Sequence, residues 1–225
     1  MAKHIKDCVN DGEYMSVVKR MRPTVRSIRR RALVSTLHRW HQESGFGPVT
    51  YVEVGVKYGS LTHCVLEWCP FIQKAIGIDP YAEYPADHRD RGQFGYANRE
   101  QGSWDHLYKR AQQILGKWGD RVELWREFSA DAAAKCVNQG RQFEIVYLDA
   151  MHAYDDVLAD ARAWWPLVKD GGCLVGDDYY GPVGADPKNW RRTTTGVSDA
   201  VDAFAAEVGL PLVGLHRSWF VQKPG

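Results

Sequence analysis

Cysteine is sparse in this 225-residue chain, long apolar runs are missing, and charge of neither sign prevails. The five cysteines (Cys8, Cys64, Cys69, Cys136 and Cys173) are odd in number and form no Cys-X-X-Cys pair. They read as reduced thiols of a cytoplasmic protein rather than a disulfide framework. No apolar stretch approaches the roughly 18–20 residues that cross a bilayer, so no membrane partner is expected. The opening MAKHIKDCVN lacks the apolar centre of a secretory signal. The net charge of +1 offers no general attraction to nucleic acid. A chain of this length buries about 70–75% of its unfolded surface, so its stability needs no staple.

Charge is concentrated in one place. Residues 19–31, KRMRPTVRSIRRR, hold seven cations and no acid. Such a run can contact nucleic acid or an acidic surface, but the rest of the chain has no second basic stripe. A solvated helix face is the reading favoured here.

What the chain does have is alternation. Residues 12–44 carry helical spacing, with Val25, Ile28, Ala32, Leu33 and Leu37 on one face and a break at Pro23. After the GFGP turn at 45–48 come short apolar runs at 51–55, 75–79, 121–125, 143–149 and 172–178. Helical stretches at 59–69, 103–118, 129–139 and 154–168 separate them. This order predicts an α/β fold with a mostly parallel sheet and helices on both faces. A helix at 196–209 and two closing strands bring the sheet to seven strands, one of them an antiparallel edge strand. Two polar, aromatic segments, 80–102 and 179–195, read as lid or binding loops. The expected organisation is an N-terminal helical cap at 1–47 and a catalytic domain at 48–225.

The first strand-to-helix turn is Glu53-Val-Gly55-Val-Lys-Tyr-Gly59-Ser60. It lacks the middle glycine of a dinucleotide fingerprint, and Glu53 would repel a pyrophosphate. A carboxylate beside glycines suits a zwitterion such as S-adenosylmethionine better, although glycines that serve only the geometry of the turn account for the pattern equally well. Asp79 ends the second strand, 24 residues after Gly55, where an acid can accept both ribose hydroxyls. Equally, Asp79 could simply start a turn before Pro80.

Residues 147–180, YLDAMHAYDDVLADARAWWPLVKDGGCLVGDDYY, place Asp149 at the end of one apolar run and Asp177 and Asp178 at the end of the next. Such strands are commonly neighbours, so the three carboxylates converge. They would disturb one another's ionisation unless a hard cation sat among them, Mg²⁺ or Mn²⁺ by ligand type. His152, three residues past Asp149, can take a proton from a hydroxyl there. Each residue alone has a plain alternative as a helix cap, loop start or surface histidine. Together they favour a metal site.

From about 49 to 222 the chain resembles the class I S-adenosylmethionine-dependent methyltransferases. It is most similar to the metal-dependent O-methyltransferases of the macrocin kind, which modify sugars on natural products. VEVGVKYGSLT, IGIDPY, FSADAA and above all DAMHAYDDVLADARAWWPLVKDGGCLVGDDY carry the likeness. The resemblance implies a Rossmann-like class I fold and S-adenosylmethionine as cofactor. It places Glu53, Gly55 and Gly59 at the methionine part, with Tyr58 and Ser60 as neighbours. Asp79 would take the ribose, and Phe128 and Ser129 would border the adenine. Asp149, Asp177 and Asp178 fall on metal positions and His152 on the general base. Asp149 thereby belongs to the cofactor wall and to the catalytic pair with His152. Met151 stands where some sugar enzymes carry an acid, which leaves His152 as the local base.

The implied partner is a small-molecule hydroxyl acceptor, a sugar or glycosylated natural product. An aromatic diol is the alternative, because Tyr81, Tyr84, Phe94, Tyr96, Tyr179, Tyr180 and Trp190 could stack on either, while Arg89, Arg91, Arg191 and Arg192 hint at an anionic or hydroxyl-rich acceptor. A nucleic-acid methyltransferase is the remaining alternative. Against it, DAMH replaces the (Asn/Asp)-Pro-Pro-(Tyr/Phe) motif of base-amino enzymes. The N-terminal helices could also pair two subunits.

Overall fold

The structure, a computed structural model, describes residues 28–86, 99–179, 196–215 and 217–225. The start of the expected first helix, and the loop residues Arg89, Arg91, Phe94, Tyr96, Tyr180, Trp190, Arg191 and Arg192, lie outside the described residues.

Helix α1 (Ile28–Ser44) leads into β1 (Val49–Val54), α2 (Ser60–Trp68) and β2 (Ile72–Ile78). Then follow α3 (Gln101–Leu115), a 3-10 turn, β3 (Val122–Trp125), α4 (Ser129–Asn138) and β4 (Phe143–Leu148). Helix α5 (Tyr154–Trp164) ends early, because Pro166 cannot continue it and a 3-10 turn takes over. Strand β5 (Val168–Gly176) begins before its apolar run, since Val168 already pairs with Phe143. Helix α6 (Val197–Val208) precedes the hairpin of β6 (Leu212–Leu215) and β7 (Ser218–Gln222).

The seven strands lie in the order β3-β2-β1-β4-β5-β7-β6. All neighbours from β3 through β5 are parallel. Strand β7 runs antiparallel to β5, and β6 pairs outside it to complete the hairpin. This is the Rossmann-like, mostly parallel sheet that the alternation predicts. Sequential order reverses between β1 and β4, which opens a crevice at their carboxyl ends.

Residue alternation assigns the faces. Tyr51, Ile145, Tyr147, Cys173 and Val175 pack with Leu33, Val34, Leu37 and Trp40 of α1 and with Val65 of α2. Val52, Val54, Val146, Leu148 and Leu174 face the opposite layer, with Ala132 and Cys136 of α4, Trp164 of α5 and Phe204 of α6. Helix α1 therefore shares one core with the sheet, and its buried apolar side chains contribute roughly 2 kcal/mol each. Among the described residues, no helix is long and apolar enough to cross a membrane.

Candidate active site

The parallel ladder continues one residue beyond each strand. The amide of Asp79 donates to Trp125 O, Gly55 to Ile78 O, Asp149 to Val54 O and Asp177 to Leu148 O, at 2.8 to 3.2 Å. Those four bonds set Asp79, Gly55, Asp149 and Asp177 in one row along the carboxyl edge of the sheet. Above the row lies a cavity of about 610 Å³.

At β1 the cavity wall is built around Glu53. Its carboxylate accepts from Thr62 Oγ1 at 2.5 Å and from Tyr51 OH at 3.4 Å. Burial pushes the Glu53 carboxyl up to about 7, against the pull of those bonds and of the Arg30 cation. Arg30 reaches in from α1 and donates through Nη2 to Ser60 Oγ at 2.7 Å.

Next along the wall is Asp79. Its Oδ2 accepts from the Lys57 amide and its Oδ1 from the Tyr81 amide, both at 2.9 Å. Burial raises its carboxyl, while the two backbone bonds oppose the shift. Lys57 and Tyr81 both have left-handed backbone, with φ of 53° and 47°, so Asp79 clips two strained loops together. It is thus a turn former as well as a wall residue, and each oxygen keeps acceptor capacity for a ligand hydroxyl.

The third region holds Phe128, about half exposed at 52%, and Ser129. The Ser129 hydroxyl donates to Asp160 Oδ1 at 2.5 Å and accepts from Trp164 Nε1 at 2.9 Å. Burial pushes Asp160 up to about 6, with the Asp156 charge adding to it and the Ser129 bond opposing. Both acids stand on the cavity side of α5.

Past the ends of β4 and β5, ligand atoms of Asp149, His152 and Asp178 all lie within 4.8 Å of one another. His152 Nε2 is 2.9 Å from Asp178 Oδ2 and 3.9 Å from Asp149 Oδ1. Arg217, from the turn between β6 and β7, pairs with Asp178 on its other oxygen. Asp178 adopts left-handed backbone at φ 58°, a conformation that costs a non-glycine residue about 1–3 kcal/mol and concentrates at functional sites. Asp177 lines the same cavity but is buried and is not a member of the three-residue group. The cluster is therefore two carboxylates and an imidazole, where the sequence suggests three carboxylates.

Of the other expected wall residues, Gly55, Tyr58 and Ser60 line the cavity, but Gly59 does not. Its φ of 73° starts α2, and a Cβ there would meet the Leu115 side chain at 2.8 Å. Gly59 thus serves the packing of α3. Sequence reasoning missed Arg30 and Asp160. Seven cations in the basic run gave no sign of which one turns inward, and Asp160 is marked only by its i+4 spacing from Asp156 on the helix.

A methyltransferase domain model matches residues 52–179, more than half of the chain and all four members of the row. The chain belongs to the methyltransferase domain family. No curated protein sequence matches it. Among solved structures, an O-methyltransferase from Bacillus cereus in complex with SAH aligns with a TM-score of 0.60 at 16% identity, covering 97% of this chain and 95% of that one. CalS11, described as a TDP-rhamnose 3′-O-methyltransferase of calicheamicin biosynthesis, aligns at 0.55 and 13% identity over 95% of both chains. The SAH-bound Podospora anserina methyltransferase PaMTH1 aligns at 0.57 and 14%, covering 96% of this chain and 88% of that one. At these identities the likeness shows the class I methyltransferase fold.

Proposed function

We propose that this methyltransferase moves the methyl group of S-adenosylmethionine to a hydroxyl of a small molecule, with the help of a divalent cation. The acceptor we favour is a sugar or glycosylated natural product. The observation that carries the reading is one cavity lined both by Glu53 and Asp79 and by Asp149, His152 and Asp178.

In this reading Glu53 holds the ammonium of the methionine part and Asp79 the ribose hydroxyls. Phe128 and Ser129 border the adenine, with Asp160 behind the serine. Two carboxylates, Asp149 and Asp178, with ligand oxygens within 4.8 Å of each other offer a hard cation the oxygen donors it takes. Asp149 and Asp178 would hold Mg²⁺ or Mn²⁺, with Asp177 beneath them. Such an ion supplies Lewis acidity toward the acceptor hydroxyl, and the cofactor supplies the methyl electrophile. His152 takes the hydroxyl proton, and the carboxylates around it, with Asp178 on Nε2 at 2.9 Å, stabilise the resulting imidazolium. Fixing the acceptor between these groups contributes through orientation.

An aromatic diol acceptor is favoured by one feature. Tyr84 and Trp104 stack with ring centroids 6.0 Å apart on the cavity wall, a surface that suits an aromatic ring as well as a sugar face.

The deciding experiment titrates Mn²⁺ into protein saturated with S-adenosylhomocysteine and follows the free ion by electron paramagnetic resonance. One site per chain, lost in Asp178→Ala, is the expected result. A wild type without a site would remove the metal from the reading. Label transfer from methyl-tritiated cofactor to nucleotide sugars and to catechols then separates the two acceptor classes.

A further inference from the structure

Arg30 belongs both to the basic run at 19–31 and to the cavity wall. It stands in the first turn of α1, partly buried, with Nη2 on the Ser60 hydroxyl at 2.7 Å. Ser60 opens α2, whose cap residue Gly59 supplies no side-chain hydrogen bond. The first amides of a helix have no carbonyl one turn earlier to bond, so those of Ser60 and Leu61 add donors to this corner. Both residues line the cavity.

The corner therefore sets a guanidinium, a hydroxyl and a helix start beside Glu53, a buried acid whose ionisation Arg30 favours. An α-amino acid carries the complementary pair. Its ammonium matches Glu53, and its carboxylate needs the planar, charged donors that arginine presents. We propose that Arg30 holds the α-carboxylate of the cofactor's methionine part, with Ser60 as its second donor. Helix α1 is then part of the cofactor site, although it precedes the matched domain. The inference rests on the reading that the cavity takes S-adenosylmethionine.

The test compares S-adenosylhomocysteine with its decarboxylated counterpart, an adenosine thioether ending in aminopropyl, by calorimetry. Wild-type protein should prefer the carboxylated ligand roughly 10- to 100-fold, the range of a charge-assisted contact. Arg30→Met should erase that preference, because any change that reaches the ligands through Glu53 is common to both. Arg30→Lys, the gentler change for folding, should keep part of it. Equal losses for both ligands in Arg30→Met would make Arg30 a prop for α1 and overturn the proposal, as would a wild type without preference. A wild type that binds neither ligand would overturn the cofactor reading itself, a result distinct from the other two.

Discussion

Gly55 lies so close to the Asp149 carbonyl that a Cβ on the glycine would be driven into that oxygen. This approach brings the ends of β1 and β4 together at the switch point, and Gly55 also holds a left-handed φ of 93°. Gly55→Ala has to push the backbone of the row apart and adopt a strained conformation. The expected loss is about 2–4 kcal/mol of stability, with weakened cofactor binding in whatever remains folded. Urea denaturation reads the first and calorimetry the second. An unchanged midpoint would mean that the loops part at no cost.

Glu53 ties stability to pH. Its carboxyl is pushed from the ordinary value of 4.5 to about 7 in the folded chain, so between those values the folded state keeps a proton that the unfolded state has lost. Ligand-free stability then falls as pH rises through this window, by about 3 kcal/mol in full. Glu53→Gln lacks the titration. Its stability relative to wild type should improve from pH 5 to pH 8, and a ligand with an ammonium group should shrink that gain. Parallel stability curves for the two proteins would sink the assignment.

How far the sequence could be read differed between backbone and side chains. The alternation of apolar runs with helical stretches is a local signal, and it predicted the strands and helices to within a few residues. Asp79, Asp149 and Asp177 were visible because they end such runs, and the ladder then puts their backbones in one row. What periodicity cannot encode is where a side chain turns past the strand end. Asp178, next to Asp177, joins His152, while Asp177 is buried beneath. Arg30 became visible only when α1 docked against α2, a contact 30 residues apart in the chain.

Away from the cavity, Glu144 accepts from Lys169 Nζ and from the Thr50 amide, at 2.5 and 2.7 Å. The acid is nearly buried, while Lys169 keeps 41% of its side chain exposed. Lys169→Met leaves Glu144 its backbone bond but removes its counter-charge. The expected cost is about 1–2 kcal/mol, less than for a fully buried pair because solvent reaches the lysine. Cofactor affinity should not change. A matching loss of affinity would mean that this pair positions the site as well.

His152 and Asp178 share one short contact at 2.9 Å, and the two residues should separate in their effects. If His152 takes the acceptor proton, His152→Ala should lower the methyl-transfer rate at neutral pH by roughly 10²-fold or more. Mn²⁺ binding should weaken little, since Asp149 and Asp178 remain. Added imidazole should restore part of the rate. Asp178→Ala should instead lose the ion while S-adenosylhomocysteine still binds through Glu53 and Asp79. The discriminating measurement is Mn²⁺ binding beside turnover: His152→Ala should keep the ion and lose the rate, and Asp178→Ala should lose both. If His152→Ala loses Mn²⁺ as completely as Asp178→Ala does, the imidazole is a ligand, and the proton must leave by way of Asp149 or solvent.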